Sequence, residues 1–296
     1  MLGRILFSWF QGSNLDANAK TWRFMADIIN DIAMTLEICI PTFPDLFLPL
    51  VCTGSVLKAI VGAAGGATRA ALTQHQARRD NMADVASKDG SQETALVLVG
   101  MMLALVLNPV IGESQKMTWI FFALFTFIHL FANYLAVSFV AIDKLNRQRA
   151  DIVIAHHLRS GMTEVLSPTE TSQFERILYF QTDSLIELGC SVETALKLAK
   201  AGTTVEKLAQ KLGRPGRKHL LFEKDGRVAV LYRNDAGPKD ILRSYFEAKL
   251  TLAGYDTTNI ASDTEHLQSL LSHSGWNVES NLLGASQRRV SLKALT

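Results

Sequence analysis

The sequence predicts a mainly α protein, with a helical transmembrane or membrane-associated region followed by a small α+β C-terminal domain. Three observations carry that expectation. Apolar residues crowd the chain before about residue 142, while charges run throughout the remainder. Residues 118–142 hold no charged side chain and only His129 and Asn133 as strongly polar members. Near the other end, two strand-like runs flank Asp225-Gly226, a pair that tolerates the positive φ of a tight hairpin turn. The division is expected at 158/159, with 1–158 helical and 159–296 soluble.

The composition agrees with two environments. Of 296 residues, 48% are hydrophobic and 20% charged, below the roughly 25% charged of soluble domains. A net charge of +2, evenly mixed, excludes the basic stripe of a nucleic-acid surface. Cys39, Cys52 and Cys190 are odd in number and widely spaced, so they read as reduced packing thiols rather than a disulfide framework or metal pair. The apolar start, 1–10, is short and has no small-residue cleavage site after it, so no secretory signal is expected.

Taken in order, residues 24–40 carry Asp27, Asp31 and Glu37 among apolar positions and predict an amphipathic helix that packs on others, lies at an interface or crosses. Pro41, Pro44 and Pro49 form an elbow that breaks any continuous helix. Residues 46–67 are a further possible span, interrupted by Lys58. Residues 94–111 and 118–142 are the two spans expected from length, since about 20 apolar residues cross a bilayer core. The brief connection 112–117 makes them an antiparallel hairpin, either in a membrane or buried in a soluble core. Arg69, Arg78, Arg79 and Lys88 before the hairpin, and Lys144, Arg147, Arg149 and Arg159 after it, outnumber Lys116 in its tip. The tip is therefore expected outside and the C-terminal domain on the cytosolic or inner side; Arg4, Lys20 and Arg23 are also inside if the first two helices form another hairpin turning at the Pro elbow, and an even number of crossings fits either way.

Beyond 143 the helical pattern continues, and 178–202 reads as amphipathic helices broken near Gly189. Strands are expected at 219–222 and 228–232, helices at 238–252 and 264–272, and a last strand near Asn277.

Candidate sites follow from charge in apolar surroundings. Arg69, His75, Arg78 and Lys88, in the polar stretch 67–94, are candidate ligands for an anionic metabolite or lipid headgroup, or else a solvated positive-inside connector. Asp27 and Asp31, with Asn30 between them, share a helix face and are candidates for proton or cation handling, or else a wet surface. Gly62 and Gly66 form a GxxxG spacing suited to close helix packing. His156-His157 lacks the spacing that puts two imidazoles on one metal, and His129 stands alone in its span. No HExxH, Walker A, Rossmann or nucleophile-elbow pattern occurs, so no catalytic, metal or cofactor residues are assigned.

Two long blocks, LGRILFSWFQGSNLDANAKTWRFMADIINDIAMTLEICIP from Leu2 and ATRAALTQHQARRDNMADVASKDGSQET from Ala67, occur in the order of the conserved domain of the root UVB sensitive family. The chain resembles that family over about 2–158, and family members usually have a further helical region upstream, so a fragment or short isoform is expected. The resemblance implies membrane association and, in plants, roles in seedling development, ultraviolet-B responses, auxin distribution and vitamin B6 status, without catalytic residues. The expected function is a non-enzymatic membrane scaffold or regulator in development or metabolite homoeostasis; the alternatives are a carrier component for a small anionic metabolite and, more distantly, an unrecognised membrane enzyme. The expected partners are the lipid bilayer and proteins engaged through the C-terminal domain, another family member among them.

Overall fold

The computed structural model describes residues 15–112, 114–180, 185–199 and 202–291. Arg4 and the start of the first family block lie outside the described residues. The fold is mainly α with a few strands confined to the C-terminal part, and its contacts divide it into unit 1, Met1–Phe139 with Arg176–Tyr179, and unit 2, Val140–Glu175 with Phe180–Thr296. That division precedes the 158/159 boundary read from sequence because the helix Arg147–Arg159 buries Ala150, Val153 and Ile154 in the core of unit 2.

Among the described residues, unit 1 has four α-helices: α1 (Ala19–Cys39), α2 (Phe47–Gln76), α3 (Met82–Ile111) and α4 (Gln115–Phe139). Pro44 opens a 3-10 turn, Pro44–Leu46, and Pro49 falls in the first turn of α2, where a missing N–H costs nothing. The expected span 46–67 is part of a longer helix. So is 94–111, because the polar stretch 67–94 is mostly two helix ends joined at 77–81, not an open connector. Helix α1 is the centre of the unit, packing on both α2 and α4. Ala26 meets Ala64 of α2, and Phe24 meets Val137 of α4 and the returning Ile177.

The close approach of α1 and α2 does not use Gly62 and Gly66. Both are exposed, and a Cβ on Gly66 would meet nothing within 4 Å. Gly54, Ala64 and Thr68 form the packed stripe instead, with Gly54 facing the Ala33 carbonyl of α1. The helix phase that buries Ala64 turns Gly62 and Gly66 away.

Outside, the unit is apolar. Among the described residues, the helical stretches Pro44–Gln76, Met82–Ile111 and Gln115–Phe139 are long and apolar enough to cross a membrane. No residue of α3 is buried, and Leu96 and Leu105 are 71% and 73% exposed.

Unit 2 is built the other way round. It comprises β1 (Leu145–Asn146), α5 (Arg147–Arg159), α6 (Pro168–Phe174), β2 (Ile186–Leu188), α7 (Val192–Leu198), α8 (Val205–Leu212), β3 (His219–Lys224), β4 (Arg227–Tyr232), α9 (Pro238–Leu252), α10 (Ile260–His273) and β5 (Asn281–Leu282). Strand β4 lies between β2, parallel, and β3, antiparallel, while β1 pairs β5 in parallel. The hairpin turn has Asp225 at φ +53° and Gly226 at φ +73°, the backbone its residues favour. Alternation on β4 explains why it is buried on both faces: Val228, Val230 and Tyr232 face α5, α9 and α10, whereas Ala229 and Leu231 face α7 and α8.

Residues 186–188, read as helical from sequence, form a strand because Ile186 and Leu188 alternate inward against Val228 and Val230. Gly189 follows at φ +81°, and a Cβ there would come 2.9 Å from the Ser286 carbonyl oxygen. The final strand falls at Asn281, while the Asn277 N–H donates to the Asp143 carbonyl at 3.0 Å. Arg149 and Glu175 form a buried ion pair at 2.9 Å, both side chains at most 4% exposed.

Candidate functional site

The polar groups of unit 1 converge where α1 meets α4. The antiparallel register is visible in the partners: Asp27 receives a hydrogen bond from the Asn133 amide, and one turn along α1 Asp31 Oδ2 lies 3.3 Å from His129 Nδ1. Both pairs are spaced i, i+4, so each helix offers two polar side chains from one face. His129 Nε2 is also 4.0 Å from Asp27 Oδ1, and Gln115 Nε2 donates to the Ile38 carbonyl at 3.2 Å further along the same seam.

Burial separates the members of this cluster. The Asp31 side chain is 7% exposed and that of His129 43%. Asp31 Oδ1 is buried without a hydrogen-bond partner among the described residues. Unmet capacity of this kind is costly in an apolar setting, and ionisable groups kept there usually serve a function. Chemically, the arrangement sets one imidazole against two carboxylates, groups that can hold or pass a proton. Among the described residues no three His, Cys, Asp or Glu side chains are grouped as metal ligands.

Sequence reasoning singled out Asp27 and Asp31 but treated His129 as isolated. The structure places it against Asp31. The signal available was the matching i, i+4 spacing of His129 and Asn133 in an otherwise apolar run.

The four anion-site candidates do not come together. A groove of about 600 Å³ lies between α1, α2 and α3, and of the four only Arg69 lines it, beside Arg23, Thr73 and Gln76. Arg69 is held by Asp89 and Glu93 of α3, each at 2.6 Å, so its charge is opposed from within the protein. Arg78 and Lys88 are exposed, and His75 is half-buried in the last turn of α2. The groove is thus a mixed polar site with two guanidiniums and two carboxylates. In unit 2, His157 is buried with Nδ1 3.0 Å from the Glu164 carbonyl, and burial pushes the Cys190 thiol up to about 12, leaving it a packing group.

These features define a class: an apolar-surfaced helical unit with a half-buried carboxylate–imidazole seam, joined to an α+β domain with a conventional core. Residues 1–161 match the family model described as the vitamin B6 photo-protection and homoeostasis domain, and residues 164–273 match the root UVB sensitive protein C-terminal model. The chain belongs to the root UVB sensitive family. It is similar to protein root UVB sensitive 3 of Arabidopsis thaliana, 38% identical over 84% of this chain and 58% of the relative. It is also similar to RUS family member 1 of Dictyostelium discoideum, 46% identical over 65% of this chain and 37% of that protein, and to the chloroplastic protein root UVB sensitive 2 of Arabidopsis thaliana, 26% identical over 80% and 54%. The chain spans about half the length of these curated relatives. No solved structure matches it.

Proposed function

We propose that the chain is an integral membrane protein with a non-enzymatic regulatory or scaffold role in the homoeostasis of a small metabolite of the vitamin B6 or auxin-like kind. Unit 1 is the membrane part. Unit 2 is the part that meets protein partners on the inner, cytosolic side. The observation that carries this reading is α3, whose apolar length has no buried residue. In water such a surface is unfavourable, whereas lipid removes the penalty.

Helix α1 traverses with its neighbours. Its 21 residues reach about 32 Å at 1.5 Å rise per residue, and α2 and α4 shield its acidic groups from lipid. Four crossings put Lys20, Arg23, Arg69, Arg78, Arg79 and Lys88 at one end, in accord with the inner placement of basic residues. Washing membranes at alkaline pH tests the proposal: the chain stays with the bilayer, and its release into the supernatant would refute the membrane assignment. For the scaffold role, Phe246→Ala, which disrupts the core of unit 2, leaves the chain in the membrane but removes captured partners. Partners retained at full yield by that variant would argue against unit 2 as the docking part.

The α1–α4 seam favours a second reading, a carrier component for a small anionic metabolite that exchanges a proton through Asp31 and His129. In reconstituted vesicles, Asp31→Asn then abolishes uptake of pyridoxal phosphate while insertion is unchanged. Equal uptake by wild type and variant would remove this reading.

A further inference from the structure

A second polar cleft, of about 620 Å³, lies within unit 2 beside β3 and α9. The sequence builds its walls by simple periodicity. Arg243, Glu247 and Thr251 recur every four residues and so lie on one face of α9, while His219 and Leu221 share a face of β3. Its two acids are already engaged: Lys218 Nζ is 3.2 Å from Asp240, and His219 Nε2 is 2.8 Å from Glu247. Lys211, Arg217 and Arg243 also line the cleft, and their side chains have no ion-pair or hydrogen-bond partner among the described residues. Arg243 is the informative one. Its Nε is buried and lacks an acceptor, although buried N–H donors are nearly always paired.

We infer that this cleft binds a phosphomonoester, with Lys211, Arg217 and Arg243 around the phosphate and Leu221 and Ile260 against the apolar body of the ligand. A phosphomonoester carries close to two negative charges at neutral pH, against one for a carboxylate, so it suits a cleft with three unopposed cations. Its oxygens also match the parallel N–H groups of a guanidinium, which Arg243 brings to the cleft wall. The position is separate from the groove and seam of unit 1, so this inference stands whether or not unit 1 carries a metabolite. A free metabolite and a phospholipid headgroup present the same group, and the test separates them.

Isothermal titration of the full chain in detergent micelles, with glycerol 3-phosphate and with dioctanoyl phosphatidate as probes, reads both sources. Wild type is expected to bind with one site. Arg243→Lys, which keeps the charge but loses the planar fork, weakens binding about tenfold, or about 1.4 kcal/mol. Because Arg243 is partly buried, the double variant Lys211→Glu with Arg217→Glu, both at exposed positions, provides the second arm: it keeps the melting temperature and loses most of the binding. Binding of both probes supports recognition of the phosphate itself, and binding of phosphatidate alone supports a headgroup site. Failure of wild type to bind either probe, or unchanged affinity in the double variant, overturns the inference.

Discussion

Unit 1 and unit 2 are inside-out relative to each other. In unit 2 the large apolar side chains Tyr232, Phe246 and Leu250 are fully buried, and helix ends are capped by solvated hydroxyls such as Ser167 and Ser191. In unit 1 the apolar side chains of α3 are exposed, while the buried groups include the polar or small Asp31, Thr68 and Ala64. The same folding physics explains both once the solvent differs. Water drives hydrocarbon inward in unit 2; the lipid proposed around unit 1 offers no such drive, which leaves small residues and polar contacts to hold α1, α2 and α4 together.

The most severe way to break the contrast is a cavity in unit 2. Phe246→Ala is expected to cost about 3–5 kcal/mol. Limited proteolysis should then degrade unit 2 while unit 1 remains in the membrane; joint loss of both would show one cooperative body rather than two. Next comes a charge on the outer face of unit 1. In water Leu103→Lys would be nearly neutral, whereas in lipid it costs about 3 kcal/mol, so an insertion assay should show a clear fall in membrane-integrated chain. Unaltered insertion would mean that this face is not lipid-exposed.

A smaller effect is expected inside the seam. Asn133→Ala removes the amide donor to Asp27 and should weaken α1–α4 association by about 1 kcal/mol, read as a lower melting temperature in detergent. No change would show that the seam contributes nothing to the packing of unit 1. The mildest test is pH. Burial holds the His157 imidazole below the ordinary histidine value, so the unfolded chain takes up that proton first. The contribution of His157 to unit 2 is therefore complete above about pH 6.5 and is lost as pH falls through the lower folded value. His157→Asn should flatten that part of the stability profile; an unchanged slope would assign it to other groups.

How far the sequence disclosed this depended on the range of the interactions involved. The hairpin at Asp225-Gly226 was legible because the turn imposes its own backbone angles, and α9 was legible because Pro238 and Gly254 mark its ends. Strand β2 was not. Three residues carry little periodicity, and its partner β4 is some forty positions away, so only the assembled sheet identifies it. In unit 1 the apolar lengths were plain, but the ends of α2 and α3 were hidden in the polar stretch 67–94, where Arg69 bridges to Asp89 and Glu93 across the two helices. Gly62 and Gly66 lie off the α1–α2 contact because glycine spacing records the possibility of close packing, not its direction. For the seam, half was legible: Asp27 and Asp31 stood out, and His129 joined them only when the antiparallel register of α1 and α4 was known.

The central claim, that unit 1 faces lipid, is tested most directly along α3. After Cys39, Cys52 and Cys190 are replaced by serine, single cysteines at positions 96, 99, 103 and 106 are exposed to a membrane-impermeant maleimide in sealed membranes, before and after detergent and denaturant. The account expects no labelling until the bilayer is dissolved and the chain unfolded. Rapid labelling of all four positions in intact membranes would contradict it.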